Sequence, residues 1–204
     1  MIEVAPGLLY FPEFYSREEQ RALVADIAAA IAAAPLFTPC MPRTGKPFSV
    51  RMTNCGSLGW MSDAEGGYRY QGRHPDTGAP WPPIPENVLR AWRETSGVAA
   101  LPEACLVNWY GASARMGLHQ DRDEAALEAP VVSVSLGSDC LFRFGGTSRG
   151  GKTQSIRLRS GDVLTIGGAS RLCFHGVDKI YPGTSQLVEG GGRINLTLRR
   201  VAAI

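Results

Sequence analysis

The second half of the chain is built from short runs in which polar and apolar residues alternate, each bounded by glycine, aspartate or other turn-forming residues. The runs lie at residues 131–136, 141–144, 155–158, 162–166, 171–175 and 193–199. Alternation with a period of two is typical of strands with one buried face. Short strands at this spacing favour an all-β sandwich or barrel. The pattern therefore predicts a mainly β core.

The first half has a different pattern. Ser16 and Glu19 form a capping box before an alanine-rich stretch, which predicts a helix over residues 16–34. A second helix is predicted over residues 86–96, ended by Gly97. The stretch between them, residues 35–83, is irregular and favours a functional loop or lid, in which His74 is expected to be exposed. The prediction is one α+β, mainly β domain over residues 1–204.

Charge and cysteine content restrict the partners. A net charge of +2 excludes a polycation that grips long duplexes through many phosphates, and favours local contact with few nucleotides. Five scattered cysteines without a CxxC motif favour a reduced, cytoplasmic setting. No apolar run approaches the roughly 20 residues of a membrane span, so no membrane partner is expected.

Two histidines and an aspartate are the candidate metal ligands. In an extended segment, His119 and Asp121 point to the same side, where they can approach one ion. His175, which ends the predicted strand 171–175, would complete a facial triad for Fe(II). The pattern alone leaves the ordinary alternative open and favoured: a turn histidine bonded to Asp121, and a satisfied strand-end histidine. Cys173 would share the face of His175 and is interpreted as a packing residue.

The last predicted strand alternates without a break. Its polar face carries Arg193, Asn195, Thr197 and Arg199, and its other face is apolar. The polar face either meets solvent at a sheet edge or points into a barrel. Inside a barrel, two guanidiniums need anionic partners, which a small dicarboxylate supplies. A 2-oxo acid would also chelate iron.

Taken together, these motifs resemble the AlkB family of alkylation-repair dioxygenases. The resemblance is dense in the second half and thinner before it; it rests on CLVNWYG at 105–111, LHQDRDE at 118–124, APVVSVSLG at 129–137, FGG at 144–146, GDVLTIGGASRLCFHGV at 161–177, RINLTLR at 193–199, MTNCGSLGW at 52–60 and PWPPIP at 80–85. It implies a double-stranded β-helix, or jelly-roll, core at 101–204. It also implies an N-terminal extension at 1–100 with a nucleotide-recognition lid.

The resemblance also implies roles for individual residues. The implied catalytic metal ligands for Fe(II) are His119, Asp121 and His175. The implied contacts to the cosubstrate 2-oxoglutarate are Asn108, Tyr110, Arg193, Asn195 and Arg199. The implied substrate contacts are Trp60 against a flipped base, Tyr68 and Tyr70 in the lid, Asp123 for selecting the damaged base, and Arg149 near the substrate.

The predicted function is oxidative dealkylation of N-alkylated bases, of the 1-methyladenine and 3-methylcytosine type, in DNA or RNA. The reaction would require Fe(II) and would consume O2 and 2-oxoglutarate. It would form succinate, CO2, an aldehyde and the repaired base. The expected enzyme is a monomer that takes a single-stranded or flipped-out base. Two alternatives stay open: a hydroxylase with the same iron core acting on a protein or small molecule, and a non-catalytic nucleic-acid-binding module.

Overall fold

The structure, a computed structural model, describes residues 1–203. Within these residues, helix α1 spans Arg17–Ala33 and helix α2 spans Glu86–Thr95. The strands, in chain order, are β1 Ile2–Ala5, β2 Leu8–Phe11, β3 Val50–Gly56, β4 Gly59–Asp63, β5 Gly67–Gln71, β6 Ala104–Tyr110, β7 Met116–His119, β8 Val131–Gly137, β9 Asp139–Gly145, β10 Thr153–Leu158, β11 Val163–Ile166, β12 His175–Tyr181 and β13 Arg193–Arg199.

Most strands form two antiparallel sheets. The larger sheet has the order β1-β2-β11-β8-β13-β6-β3, and the smaller has the order β10-β9-β12-β7. Strands β4 and β5 pair only with each other, as a hairpin. One apolar cluster joins Leu106 and Tyr110 of the larger sheet to Phe142, Phe144 and Val177 of the smaller. The sheets therefore face each other, and the predicted double-stranded β-helix core is confirmed.

The two helices cover the other face of the larger sheet. Leu23 and Ile27 of α1 and Trp92 of α2 share a second apolar cluster with Leu196 and Leu198 of β13. Since alternate residues of a strand point to opposite faces, the polar residues of β13 point away from the helices and into the space between the sheets. This decides between the two interpretations of the last strand: its polar face is interior.

Both predicted helices are confirmed. Helix α1 begins after Ser16, whose hydroxyl accepts from the amide of Glu19 at 3.3 Å while the Glu19 carboxylate accepts from the Ser16 amide at 2.7 Å. This capping box satisfies two amide groups that the first turn of a helix leaves without partners. Helix α2 ends at Thr95, one residue before the predicted end.

The stretch 35–83 is more regular than predicted. It contains the edge strand β3 and both strands of the β4–β5 hairpin. The expectation that His74 is exposed is wrong, because the side chain is buried. Its Nε2 lies 2.7 Å from the carbonyl oxygen of Pro35, and its ring packs edge-on against Phe37. Turn amides of Asp76 and Thr77 donate to Nδ1, so the imidazole organises the turn from inside.

The predicted strand 171–175 is also wrong. Residues Gly168–Ser170 form a short 3-10 helix, and strand β12 begins at His175 instead of ending there. The physical cause is Arg171, whose guanidinium is buried and donates to the main-chain oxygens of Ala129 and Asp121. These side-chain contacts with a distant loop hold the segment in a turn. Cys173 is buried, as a packing residue would be.

Candidate metal centre and cosubstrate pocket

Three predicted ligands meet at the adjacent ends of strands β7 and β12 of the smaller sheet. His119 ends β7 and His175 begins β12, and the two residues are direct partners across these antiparallel strands. Asp121 lies in the loop after β7. One nitrogen or oxygen of each side chain lies within 4.8 Å of the others. The Nε2 atoms of His119 and His175 lie 3.7 and 3.6 Å from the Asp121 carboxylate oxygens.

The two imidazoles are oriented by the main chain. Nδ1 of His119 lies 2.9 Å from the carbonyl oxygen of Gly117, and Nδ1 of His175 lies 3.1 Å from that of Cys173. A carbonyl only accepts, so each Nδ1 carries the proton and each Nε2 faces the centre. In the described chain, Oδ2 of Asp121 is buried and accepts no hydrogen bond. Two imidazole nitrogens and one carboxylate therefore fit an Fe(II) facial triad.

Electrostatics keep the carboxylate ionised. Burial alone would raise the pKa of Asp121, but the Arg199 guanidinium and the neighbouring histidines hold it well below its usual value. Burial lowers the pKa of His175, but the Asp121 carboxylate raises it more, to about 10. Burial and the adjacent His175 lower the pKa of His119. The metal-free site therefore holds a proton on His175 that a metal ion must displace.

The interior face of β13 continues from this centre. Arg199 donates from Nη2 to Oδ1 of Asp121 at 2.8 Å, and its Nε lies 3.4 Å from Glu124 Oε1. Arg193, at the other end of the strand, is 1% exposed and donates to the Ser135 hydroxyl at 2.8 Å. No carboxylate lies within 4.0 Å of Arg193 in residues 1–203, where its Nε has no hydrogen-bond partner. Within the described residues, Arg193 is therefore a buried cation without an anionic partner.

Strand β6 supplies two more of the predicted residues. Asn108 pairs in register with Asn195, and Tyr110 pairs with Arg193. Asn108 donates to Oδ1 of Asn195 at 3.4 Å, while its own Oδ1 is buried without a partner in the described chain. Burial raises the pKa of the Tyr110 hydroxyl, which keeps it a neutral donor. All five predicted cosubstrate contacts thus lie on two neighbouring strands.

The β4–β5 hairpin places aromatic side chains against the loop after β7 that carries Asp121. Trp60 stacks on Tyr68 with ring centroids 5.7 Å apart and planes 21° from parallel, and Tyr68 is 54% exposed. Nε1 of Trp60 donates to Oδ2 of Asp123 at 3.0 Å. The Tyr70 hydroxyl donates to Glu124. The structure therefore brings Trp60, Tyr68 and Asp123 together on the surface and joins Tyr70 to the interior.

Arg149 is the predicted site residue that lies apart from this aromatic group. It is exposed, in the loop between β9 and β10, and its guanidinium lies 5.0 Å above the ring of Phe174. Phe174 directly precedes His175 at the start of β12, but adjacent residues of an extended segment point to opposite sides, so the contact does not bring Arg149 to the His175 imidazole. The stacked ring fixes the direction in which its charge is presented.

Two site residues escaped the sequence analysis. Glu124 and Arg171 form a buried ion pair, with Arg171 Nη2 3.1 Å from Glu124 Oε2. Glu124 also meets Arg199 and Tyr70. The available signal was a charged residue, Arg171, inside the otherwise uncharged stretch 163–174, whose burial requires an anionic partner elsewhere.

Comparison with known proteins places this geometry in a family. Residues 7–199 match the model of the 2OG-Fe(II) oxygenase superfamily. The chain is 53% identical over 199 residues to the alpha-ketoglutarate-dependent dioxygenase AlkB homolog of Caulobacter vibrioides, covering 98% of this chain and 90% of that protein. The chain belongs to the AlkB family. It is therefore a dioxygenase that depends on Fe(II) and 2-oxoglutarate.

Further similarities agree with this assignment. A solved structure of OsALKBH1 matches with a TM-score of 0.81 and 32% identity, over 98% of this chain and 99% of that one. The DNA N(6)-methyladenine demethylase ALKBH1D of Arabidopsis thaliana is 44% identical over 108 residues, 48% of this AlkB-family chain and 24% of that protein. Separately, none of the helices within residues 1–203 has both the length and the apolar character needed to cross a membrane.

Proposed function

We propose that this AlkB-family dioxygenase removes N-alkyl groups from bases of the 1-methyladenine and 3-methylcytosine type in DNA or RNA. An N-methyl base, O2 and 2-oxoglutarate would give the unmodified base, formaldehyde, succinate and CO2. The observation that carries the proposal is the stacked Trp60–Tyr68 pair beside the carboxylate of Asp123, which is two residues along the chain from Asp121. The names of the Caulobacter and Arabidopsis relatives support it.

In this proposal His119, Asp121 and His175 hold Fe(II) and act as its catalytic ligands. Bound iron supplies the activation of O2 and the delivery of one oxygen atom to the N-alkyl carbon. The Nδ1 hydrogen bonds to Gly117 and Cys173 keep both Nε2 lone pairs aimed at one point. Three ligands leave positions open for cosubstrate and O2.

The arginines of β13 anchor 2-oxoglutarate in this proposal. Arg199 lies beside the carboxylate of Asp121, a proposed metal ligand. It therefore meets the carboxylate of 2-oxoglutarate that lies nearer to the metal. Arg193 lies six residues along the strand and has no carboxylate partner in the described residues, so it suits the distal carboxylate. Asn108 and Asn195 lie between them, Tyr110 lies opposite Arg193, and all three orient the cosubstrate.

The lid residues recognise the base. An alkylated base must leave the stack to approach a buried metal, so the enzyme acts on single-stranded or flipped-out nucleotides. Trp60 replaces the lost stacking, at about 1–3 kcal/mol per base. A methyl group on N1 of adenine makes the ring cationic, and Asp123 favours that charge. Tyr68, Tyr70 and Arg149 are assigned to the nucleotide, with the exposed Arg149 placed to meet a phosphate.

The proposal also includes the organisation of the protein. Residues 1–100 form the extension that carries the recognition lid, and residues 101–204 form the catalytic core of one domain. The enzyme would work as a monomer, since one chain supplies all three proposed metal ligands. Five free cysteines suit a cytoplasmic location, where thiols stay reduced.

The test is succinate formation by the iron-loaded protein with an oligonucleotide that contains 1-methyladenine, with the unmodified oligonucleotide, and with no oligonucleotide. We expect formaldehyde and succinate in equal amounts with the methylated strand alone. An RNA oligonucleotide with the same lesion ranks the two nucleic acids. Turnover that no nucleic acid stimulates would redirect the search to a protein or small-molecule substrate.

A matched variant tests the base-selecting role. Asp123→Asn keeps an oxygen to accept from Trp60 Nε1 but removes the charge. We expect turnover of cationic 1-methyladenine to fall while turnover of a neutral etheno adduct is maintained. Equal losses on both lesions would contradict charge selection by Asp123.

A further inference from the structure

Side-chain hydrogen bonds join two segments of the chain that position the proposed metal ligands Asp121 and His175. The loop 120–129 carries Asp121, and the turn 171–174 leads into His175, the first residue of β12. The side chain of Arg171 crosses to the loop, and the side chain of Gln120 crosses back to the turn. Gln120 donates to the carbonyl oxygen of Leu172 at 2.6 Å and to that of Thr147 at 3.2 Å.

Arg171 uses all three of its guanidinium nitrogens in this contact. Nε donates to the carbonyl oxygen of Ala129 at 2.7 Å, Nη1 to that of Asp121 at 2.5 Å, and Nη2 to the Glu124 carboxylate at 3.1 Å. The side chain is 5% exposed. The planar fork of arginine suits three acceptors in one plane, which the single ammonium of lysine cannot all reach.

We propose that Arg171 is a positioning residue of the metal centre. It holds the main chain of Asp121, while Arg199 holds the carboxylate of the same residue. With Gln120, it fixes the separation between the aspartate ligand and the segment that leads into His175. The inference rests on the proposed role of His119, Asp121 and His175 as the iron ligands.

Glu124 extends this arrangement toward the lid. Its buried carboxylate joins Arg171 to Arg199 and also accepts from the Tyr70 hydroxyl on β5. By pairing with Glu124, Arg171 therefore also positions the carboxylate that Tyr70 of the β4–β5 hairpin contacts. A residue that only fills the core would affect unfolding, but would leave the metal affinity of the folded protein unchanged.

The experiment is an anaerobic equilibrium titration with Mn(II), read by the paramagnetic signal of the free ion, at a temperature where circular dichroism shows each variant folded. Outer-shell partners of metal ligands typically contribute 10- to 100-fold to affinity. We expect Arg171→Met to raise the Kd for Mn(II) roughly 10-fold or more. Arg171→Lys should restore part of the affinity, and Gln120→Ala should give a smaller loss.

Two controls make the result specific. Leu23→Ala opens the core between α1 and the larger sheet, on the face of that sheet opposite the metal centre, and should destabilise the protein without changing the Kd. His119→Ala removes a proposed ligand and should abolish binding at this site. Unchanged binding by His119→Ala would overturn the triad, and this inference with it.

The inference itself is overturned if folded Arg171→Met binds Mn(II) with the Kd of the unaltered protein while His119→Ala does not bind. It is also overturned if Leu23→Ala weakens binding as much as Arg171→Met, because the effect would then be general destabilisation. If Arg171→Met does not fold, Arg171→Lys decides: an unchanged Kd refutes the role, and a raised Kd supports it.

Discussion

Replacing Arg193 with methionine is expected to separate cosubstrate binding from fold stability. The guanidinium is 1% exposed, and within the described chain its hydrogen bonds go to the Ser135 hydroxyl at 2.8 Å and the Ser138 carbonyl at 3.5 Å. A charge taken out of water without an anionic partner opposes folding. The cosubstrate-free variant should therefore melt at the same temperature as the unaltered protein, or higher.

The affinity for 2-oxoglutarate should fall steeply in the same variant. Removing one partner of a buried ion pair costs about 3–5 kcal/mol. At about 1.4 kcal/mol per power of ten, the Kd for 2-oxoglutarate should rise by about two to four powers of ten. Arg199→Met offers the contrast on the same face of the same strand. It leaves Asp121 and Glu124 without that cation, so it should lower the stability of the cosubstrate-free protein.

The assay pairs thermal unfolding of the metal-free protein with anaerobic equilibrium dialysis of 2-oxoglutarate in the presence of Mn(II). We expect Arg193→Met to keep its melting temperature and lose binding, and Arg199→Met to lose both. Retained affinity for 2-oxoglutarate in Arg193→Met would refute the anchoring role. If the melting temperature of Arg193→Met is lowered as much as that of Arg199→Met, the Arg193 guanidinium is not an uncompensated charge in the cosubstrate-free protein.

Three further predictions concern the metal ligands and the lid. In the metal-free protein the His175 pKa is about 10 against an ordinary value of 6.5. Protonated His175 therefore contributes stability that is complete below pH 6.5 and is lost as pH rises to 10, and His175→Gln should flatten this part of a melting-temperature profile. Asp121→Ala should abolish turnover while circular dichroism shows a folded protein; retained turnover in metal-replete protein would contradict the triad. Trp60→Ala should raise the KM for a 1-methyladenine oligonucleotide about 5- to 150-fold, from about 1–3 kcal/mol of stacking.

Local patterns in the sequence were sufficient for much of the fold. The capping box of Ser16 and the alternation of β13 each depend on a few neighbouring residues, and both are confirmed. Strands β1 and β2 were not predicted, because each has four residues and gains its stability from pairing in the larger sheet. Within 35–83, the hairpin strands β4 and β5 were not predicted either, although they pair only with each other. Turn residues dominate the local pattern there, whereas pairing with distant β6 defines β3.

The candidate site divides in a similar way. His119, Asp121 and the arginines of β13 were singled out by their spacing and assigned by the family resemblance. The structure brings the three ligands and Arg199 to one place, with Arg193 at the other end of the strand. His175 was found for a partly wrong reason, since it begins a strand that it was expected to end. Arg171 and His74 were misread because their partners lie far away in sequence. A polar side chain whose acceptors are main-chain oxygens of another loop leaves no periodic signal.

The most direct test of the account is the mass of a 1-methyladenine oligonucleotide after anaerobic loading of the protein with Fe(II) and 2-oxoglutarate and then exposure to O2. We predict the loss of one methylene mass from the strand, dependent on both Fe(II) and 2-oxoglutarate and absent with Asp121→Ala. An unchanged strand, from folded protein that holds iron and converts 2-oxoglutarate to succinate, would contradict base repair as its reaction.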